Sequence, residues 1–168
     1  MPEAMNHKFN FRNSPDTLRK DFSTINISAI LCALGLVVVG FLIYILFRPD
    51  SIRVFRWFSF VGLETPVFFI RDFSMQFIPS IPEWAIYSLP NGLWSFSYAL
   101  IISHLWLTSN SVIKYFWLFS IPLVVFSYET LQYLEVIPGT FCYQDLVFCF
   151  LGMSLGITTS FLLIRRSQ

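Results

Sequence analysis

The chain reads as an all-α polytopic membrane protein: a four-helix transmembrane bundle with an interfacial or re-entrant segment between its first and second spans. Three observations predict this. Of its 168 residues, 55% are hydrophobic and 12% are charged, about half the ~25% charge of a soluble domain. The mean hydropathy is +0.64. Four apolar runs of spanning length fit along the chain. A fold this small exposes too much of its surface to hide that apolar content from water. With 11 Lys+Arg against 10 Asp+Glu, a basic nucleic-acid binder is excluded, so membrane lipid is the partner expected.

Residues 1–24 form a polar tail. They hold Glu3, Asp16 and Asp21, and the apolar run that follows exceeds the 7–15 residues of a signal-peptide core. Pro2 follows Met1 and no CaaX box closes the chain, so lipid anchors are not expected. The first span is Ile25 to Phe47, uncharged and stopped by Arg48. At ~1.5 Å per residue it exceeds the ~30 Å hydrocarbon core slightly, which suits a tilted helix.

Residues 48–90 do not read as a span. Arg53, Arg56, Glu64 and Pro66 interrupt the apolar stretch from Ile52 to Ile70, and a central charge costs roughly 2.5–3.5 kcal/mol on insertion. Arg53 and Arg56 stand among Phe55, Trp57, Phe58 and Phe60, a pattern for a helix lying in the interface. A re-entrant segment over residues 54–70 is the alternative. Pro79, Pro82 and Pro90 then punctuate a loop that Trp84 and Tyr87 anchor at headgroup level.

The second span runs from about Gly92 to Leu107, the third from Val112 to Tyr133 and the fourth from Asp145 to Ile164. Pro122 should kink the third, since it frees the carbonyl of Leu118. Four spans put both termini on one side, with Lys8, Arg12, Arg19, Lys20, Lys114, Arg165 and Arg166. Arg48, Arg53, Arg56 and Arg71 fall on the other. The positive-inside rule then places the termini in the cytoplasm.

Polar residues inside apolar runs carry the functional information. Glu129, Gln132 and Tyr133 share a helix face at i, i+3 and i+4. Asp145 heads a face that continues through Cys149, Gly152, Gly156 and Ser160, and Gly152-x-x-x-Gly156 lets helix backbones approach closely. Glu129, Gln132 and Asp145 therefore form the expected functional cluster at one membrane face. Tyr133, Asn91 and Arg71 are possible supporting residues. Plainer readings exist: Asp145 as a helix cap, Glu129 as a solvated helix-end charge, His104 as a packed residue. Three tasks suit the cluster: hydrogen-bonding a lipid or peptidoglycan-precursor headgroup, acid–base work by a partly buried carboxyl, or locking the bundle. No catalytic residue is assigned, because no nucleophile–base pair, HExxH motif or phosphate-cradling glycine loop is present. No metal or cofactor is expected. Cys32, Cys142 and Cys149 show neither zinc-site nor disulfide spacing. A second reading is a non-enzymatic assembly or immunity-type subunit, packing on a membrane protein partner through the Gly152/Gly156 face.

Tyr128-Glu129-Thr130-Leu131-Gln132, then Gly139-Thr140-Phe141, Asp145 and the glycines Gly152 and Gly156, resemble the core of the VanZ-like family of small membrane proteins. The resemblance covers about 40 residues, from Pro122 to Leu163. It implies a multi-span protein of the bacterial inner membrane, linked in the founding members to glycopeptide resistance. The Asp-Lys-x-x-His-like entry common in the family's second span is replaced here by Leu89 to Tyr98, where Asn91 and Ser95 supply polar groups. This marks a divergent member.

Overall fold

The computed structural model describes residues 27–48, 60, 62, 64–137 and 141–167, and every regular element among them is helical. In order these are α1 (Ile27–Phe47), α2 (Glu64–Met75), a 3-10 turn (Ile78–Ser80), α3 (Glu83–Tyr87), α4 (Leu89–Trp106), α5 (Ile113–Tyr133) and α6 (Tyr143–Ser167). Two stretches, Ile27–Phe47 and Tyr143–Arg166, are long and apolar enough to cross a membrane. The polar tail and the Arg53/Arg56 segment lie outside the described residues.

Helix α4 is the axis of the bundle. It packs most extensively along α6, then α1, then α5. Its composition explains this position. Gly92, Ser95, Ser97, Ala99 and Ser103 are all buried, so neighbouring backbones come close on several sides. The hydroxyls of Ser95 and Ser97 donate back to the carbonyls of Asn91 and Leu93, both at 2.8 Å, which satisfies them without a partner helix. On α6, a Cβ at Gly152 would overlap the carbonyl oxygen of Gly92, and one at Gly156 would lie 2.5 Å from that of Phe96. The glycine stripe is therefore covered by α4 of the same chain. On α1, Gly40 makes room for the indole of Trp94, whose Nε1 donates to the Val37 carbonyl at 3.3 Å.

Between α4, α5 and α6 lies a core of Ala99, Ile102, Ile121, Val125 and Cys149. Trp106 stacks on Trp117 at 5.9 Å, and the Tyr98 and Ser120 hydroxyls pair at 2.8 Å, both joining α4 to α5. The outward faces stay apolar: Leu31, Val38 and Leu42 on α1, Phe116, Phe119 and Leu123 on α5, and Leu151, Leu155 and Leu162 on α6 are all exposed.

Two helices start earlier than the hydropathy pattern predicts. Helix α4 begins at Leu89 instead of Gly92, with Pro90 in its first turn. Proline fits there because first-turn amides have no partner within the helix. Helix α6 begins at Tyr143, which puts Asp145 inside the first turn and not at a cap. Helix α5 runs unbroken through Pro122. It ends with Glu135 at a φ of 55°, where the Glu135 amide reaches the Gln132 carbonyl and the Val136 amide the Leu131 carbonyl. That is the Schellman arrangement, normally closed by glycine.

Helix α2 has 12 residues, about 18 Å of helix, too short to cross ~30 Å of hydrocarbon. It packs against α1, and its Arg71 is only 2% exposed. Arg71 donates from Nη1 to the Ile45 carbonyl at 2.7 Å and from Nη2 to the Arg48 carbonyl. A buried guanidinium thus satisfies carbonyls that the end of α1 leaves without intrahelical donors.

Candidate functional site

At one end of the bundle the C-terminal ends of α1 and α5 meet the N-terminal ends of α4 and α6. They enclose a cavity of about 800 Å³, to which α3 adds Glu83 and Tyr87. The short links from α4 to α5 and from α5 to α6 make those helices antiparallel neighbours, and the longer path through α2 and α3 returns the chain to the same end to start α4. The cavity lies within the ~300–1,000 Å³ range of small-molecule sites.

Of the residues expected from sequence, Glu129, Gln132, Asp145 and Asn91 line this cavity. Glu129 is 2% exposed, and its Oε2 accepts a long hydrogen bond from the Cys142 amide at 3.5 Å. Asp145 and Arg48 are both within electrostatic reach of it. Asp145 comes from the first turn of α6, where the helix dipole favours an anion.

Two expected supporting residues are placed elsewhere. Tyr133 is exposed, with its ring edge-on to Phe141 at 5.3 Å. At about 100° per residue, the lining positions Val124, Val125, Tyr128 and Gln132 fall on one side of Glu129 and Tyr133 on the other. Arg71 does not line the cavity: α2 packs on α1, and its guanidinium donates to the Ile45 and Arg48 carbonyls.

Arg48 is the cavity residue whose role the sequence concealed, because it reads there only as the stop of an apolar run. Its Nη2 donates to the Tyr87 carbonyl at 3.0 Å, and its guanidinium lies over the rings of Tyr44 and Tyr87 at 5.1 and 5.0 Å. These contacts hold the cation at the cavity wall. A usable signal existed: Tyr44 and Arg48 stand at i, i+4 at the helix end that alternation brings beside Glu129. Glu83, Ser88, Ser95 and Tyr98 also line the cavity. Cys149 lines it too and pairs with the Ser95 side chain. Trp84 of α3 stacks on Phe148 of α6 at 5.6 Å and braces the entrance to α6.

The hydrogen bonding of this wall is incomplete. Arg48 Nε, Ser88 Oγ and Asp145 Oδ1 are buried without a hydrogen-bond partner among the described residues. Each such group costs about 1–3 kcal/mol if left unpaired. A polar wall with spare donors and acceptors, set beside the rings of Tyr98, Tyr128 and Trp94, suits a ligand that is polar at one end and apolar at the other. Compared with known protein families, curated proteins and solved structures, the chain matches none.

Proposed function

We propose that this is a VanZ-like integral membrane protein of the bacterial envelope, which binds the headgroup of a lipid or peptidoglycan precursor. In this reading α1, α4, α5 and α6 are four spans. Both termini lie in the cytoplasm, and the cavity opens on the outer face of the inner membrane. Lys114, Arg165 and Arg166 stand at the end opposite the cavity, which supports that orientation. The apolar outer faces of α1, α5 and α6 are the surface a bilayer would cover.

The observation that carries the reading is the shared cavity. Glu129, Gln132 and Asp145, three residues of the VanZ-like pattern, line one chamber with Arg48 and Asn91. A purely structural lock would pair these groups with one another, whereas Asp145 Oδ1 and Ser88 Oγ are left over among the described residues. The reading of Gly152 and Gly156 as a docking stripe for another protein has less support, since α4 already fills it.

The test is native mass spectrometry of the detergent-purified chain. Wild type should retain a lipid-mass adduct. N91W, which fills the cavity from α4, should lose the adduct while its melting temperature stays within a few degrees of wild type. Retention of the same adduct by N91W, or its absence from wild type, would contradict the reading.

A further inference from the structure

The charge of the cavity wall narrows the class of headgroup. Among the described residues, Arg48 is the one Lys or Arg side chain of the wall, against three carboxylates: Glu83, Glu129 and Asp145. Part of that cation's capacity is already used on the Tyr87 carbonyl and the Tyr44 and Tyr87 rings, while its Nε stays open for the headgroup's anionic part. The carboxylates are less committed. Among the described residues, Glu129 accepts only the long bond from Cys142, and Asp145 Oδ1 has no donor. Ser88 lines the same cavity with 1% of its surface exposed and no partner for its hydroxyl among the described residues. A wall of this kind repels an anionic headgroup and attracts one that brings a positive charge and several N–H donors. Carboxylates bind such donors through short, charge-assisted bonds, and the neighbouring aromatic faces favour a cation as well.

We propose that the cavity takes an amphiphile whose headgroup bears a primary ammonium, seated against Glu129 and Asp145 with the Ser88 hydroxyl beside it. This rests on the headgroup-binding reading above. The three N–H donors of the ammonium satisfy the acceptors that the fold leaves open. Arg48 faces whatever anionic group the same headgroup carries. The acyl chains leave between the helices toward the bilayer.

The experiment uses the full chain, purified into mixed micelles holding equal amounts of phosphatidylethanolamine and phosphatidylglycerol with identical acyl chains. Lipid retained after exchange into lipid-free detergent is quantified by mass spectrometry. The expected result is an enrichment of phosphatidylethanolamine of about fivefold or more. E129Q and D145N should each lower it roughly tenfold in affinity, the worth of one charge-assisted contact. Free phosphoethanolamine at matched concentration should not displace the lipid. Equal or greater retention of phosphatidylglycerol would overturn the ammonium assignment and leave the headgroup reading standing. Retention of neither lipid would overturn the ammonium proposal, and the adduct test of the headgroup reading then decides that reading separately. Displacement by free phosphoethanolamine would keep the ammonium but overturn the amphiphile, making the ligand a soluble amine. The two wild-type lipid arms decide the question even if a variant fails to fold.

Discussion

Gly152 of α6 lies directly against Gly92 of α4, so that a Cβ on the first would overlap the carbonyl oxygen of the second. The neighbour is backbone and cannot rotate away. Gly35 on α1 offers the opposite case, with nothing within 4 Å of the position its Cβ would take. G152A should therefore lower stability by about 1–3 kcal/mol, the usual cost of overpacking. G35A should be neutral or gain up to ~1 kcal/mol from helix propensity. Thermal unfolding in detergent measures both, and equal melting temperatures would show that the α4–α6 contact is looser than described.

Arg71 ties the end of α1 to α2 through two donors to main-chain carbonyls. R71M removes both charge-assisted bonds and leaves buried carbonyls unpaired, at about 1.5–3 kcal/mol per bond. A loss of roughly 2–4 kcal/mol is expected. R71K should recover part of it, because lysine keeps the charge but lacks the planar fork. Lipid retention should fall in R71M as well, since the Arg48 segment loses its anchor. A melting temperature unchanged from wild type would contradict this role.

Glu135 holds a left-handed backbone conformation that costs a non-glycine residue roughly 1–2 kcal/mol. Its side chain is exposed, so replacement removes no packing. E135G should stabilise the chain by about 1 kcal/mol, a result that denaturant or thermal unfolding reads directly. Destabilisation would mean that the carboxylate makes a contact beyond its backbone role.

Some of this architecture could be read from the residues alone. The uncharged run ending at Arg48 and the apolar periods of α5 and α6 depend on local composition, which a linear pattern carries. The Glu129, Gln132 and Asp145 grouping was legible for the same reason: helical period fixes which residues share a face, and a short link fixes which ends are neighbours. Arg71 was not legible. Nothing local says that a side chain 23 residues beyond Arg48 folds back to cap α1. The central place of α4 was equally hidden, because its serines look polar until their hydroxyls are seen bonded to the preceding turn. The cavity role of Arg48 needed both α1 and α3 in place before Tyr44 and Tyr87 could flank it.

The central claim is that the cavity end of a four-span bundle faces away from the cytoplasm, and single-cysteine labelling in intact cells tests it most directly. Cys32, Cys142 and Cys149 are free thiols and are first replaced by serine. A single cysteine is then introduced at Ser80, three residues before the cavity-lining Glu83, or at Asn110, in the link between α4 and α5 at the opposite end. The account predicts that an impermeant maleimide labels S80C in intact cells and labels N110C only after lysis. Labelling of N110C from outside, with S80C protected, would put Glu129 and Asp145 on the cytoplasmic face and contradict the envelope reading.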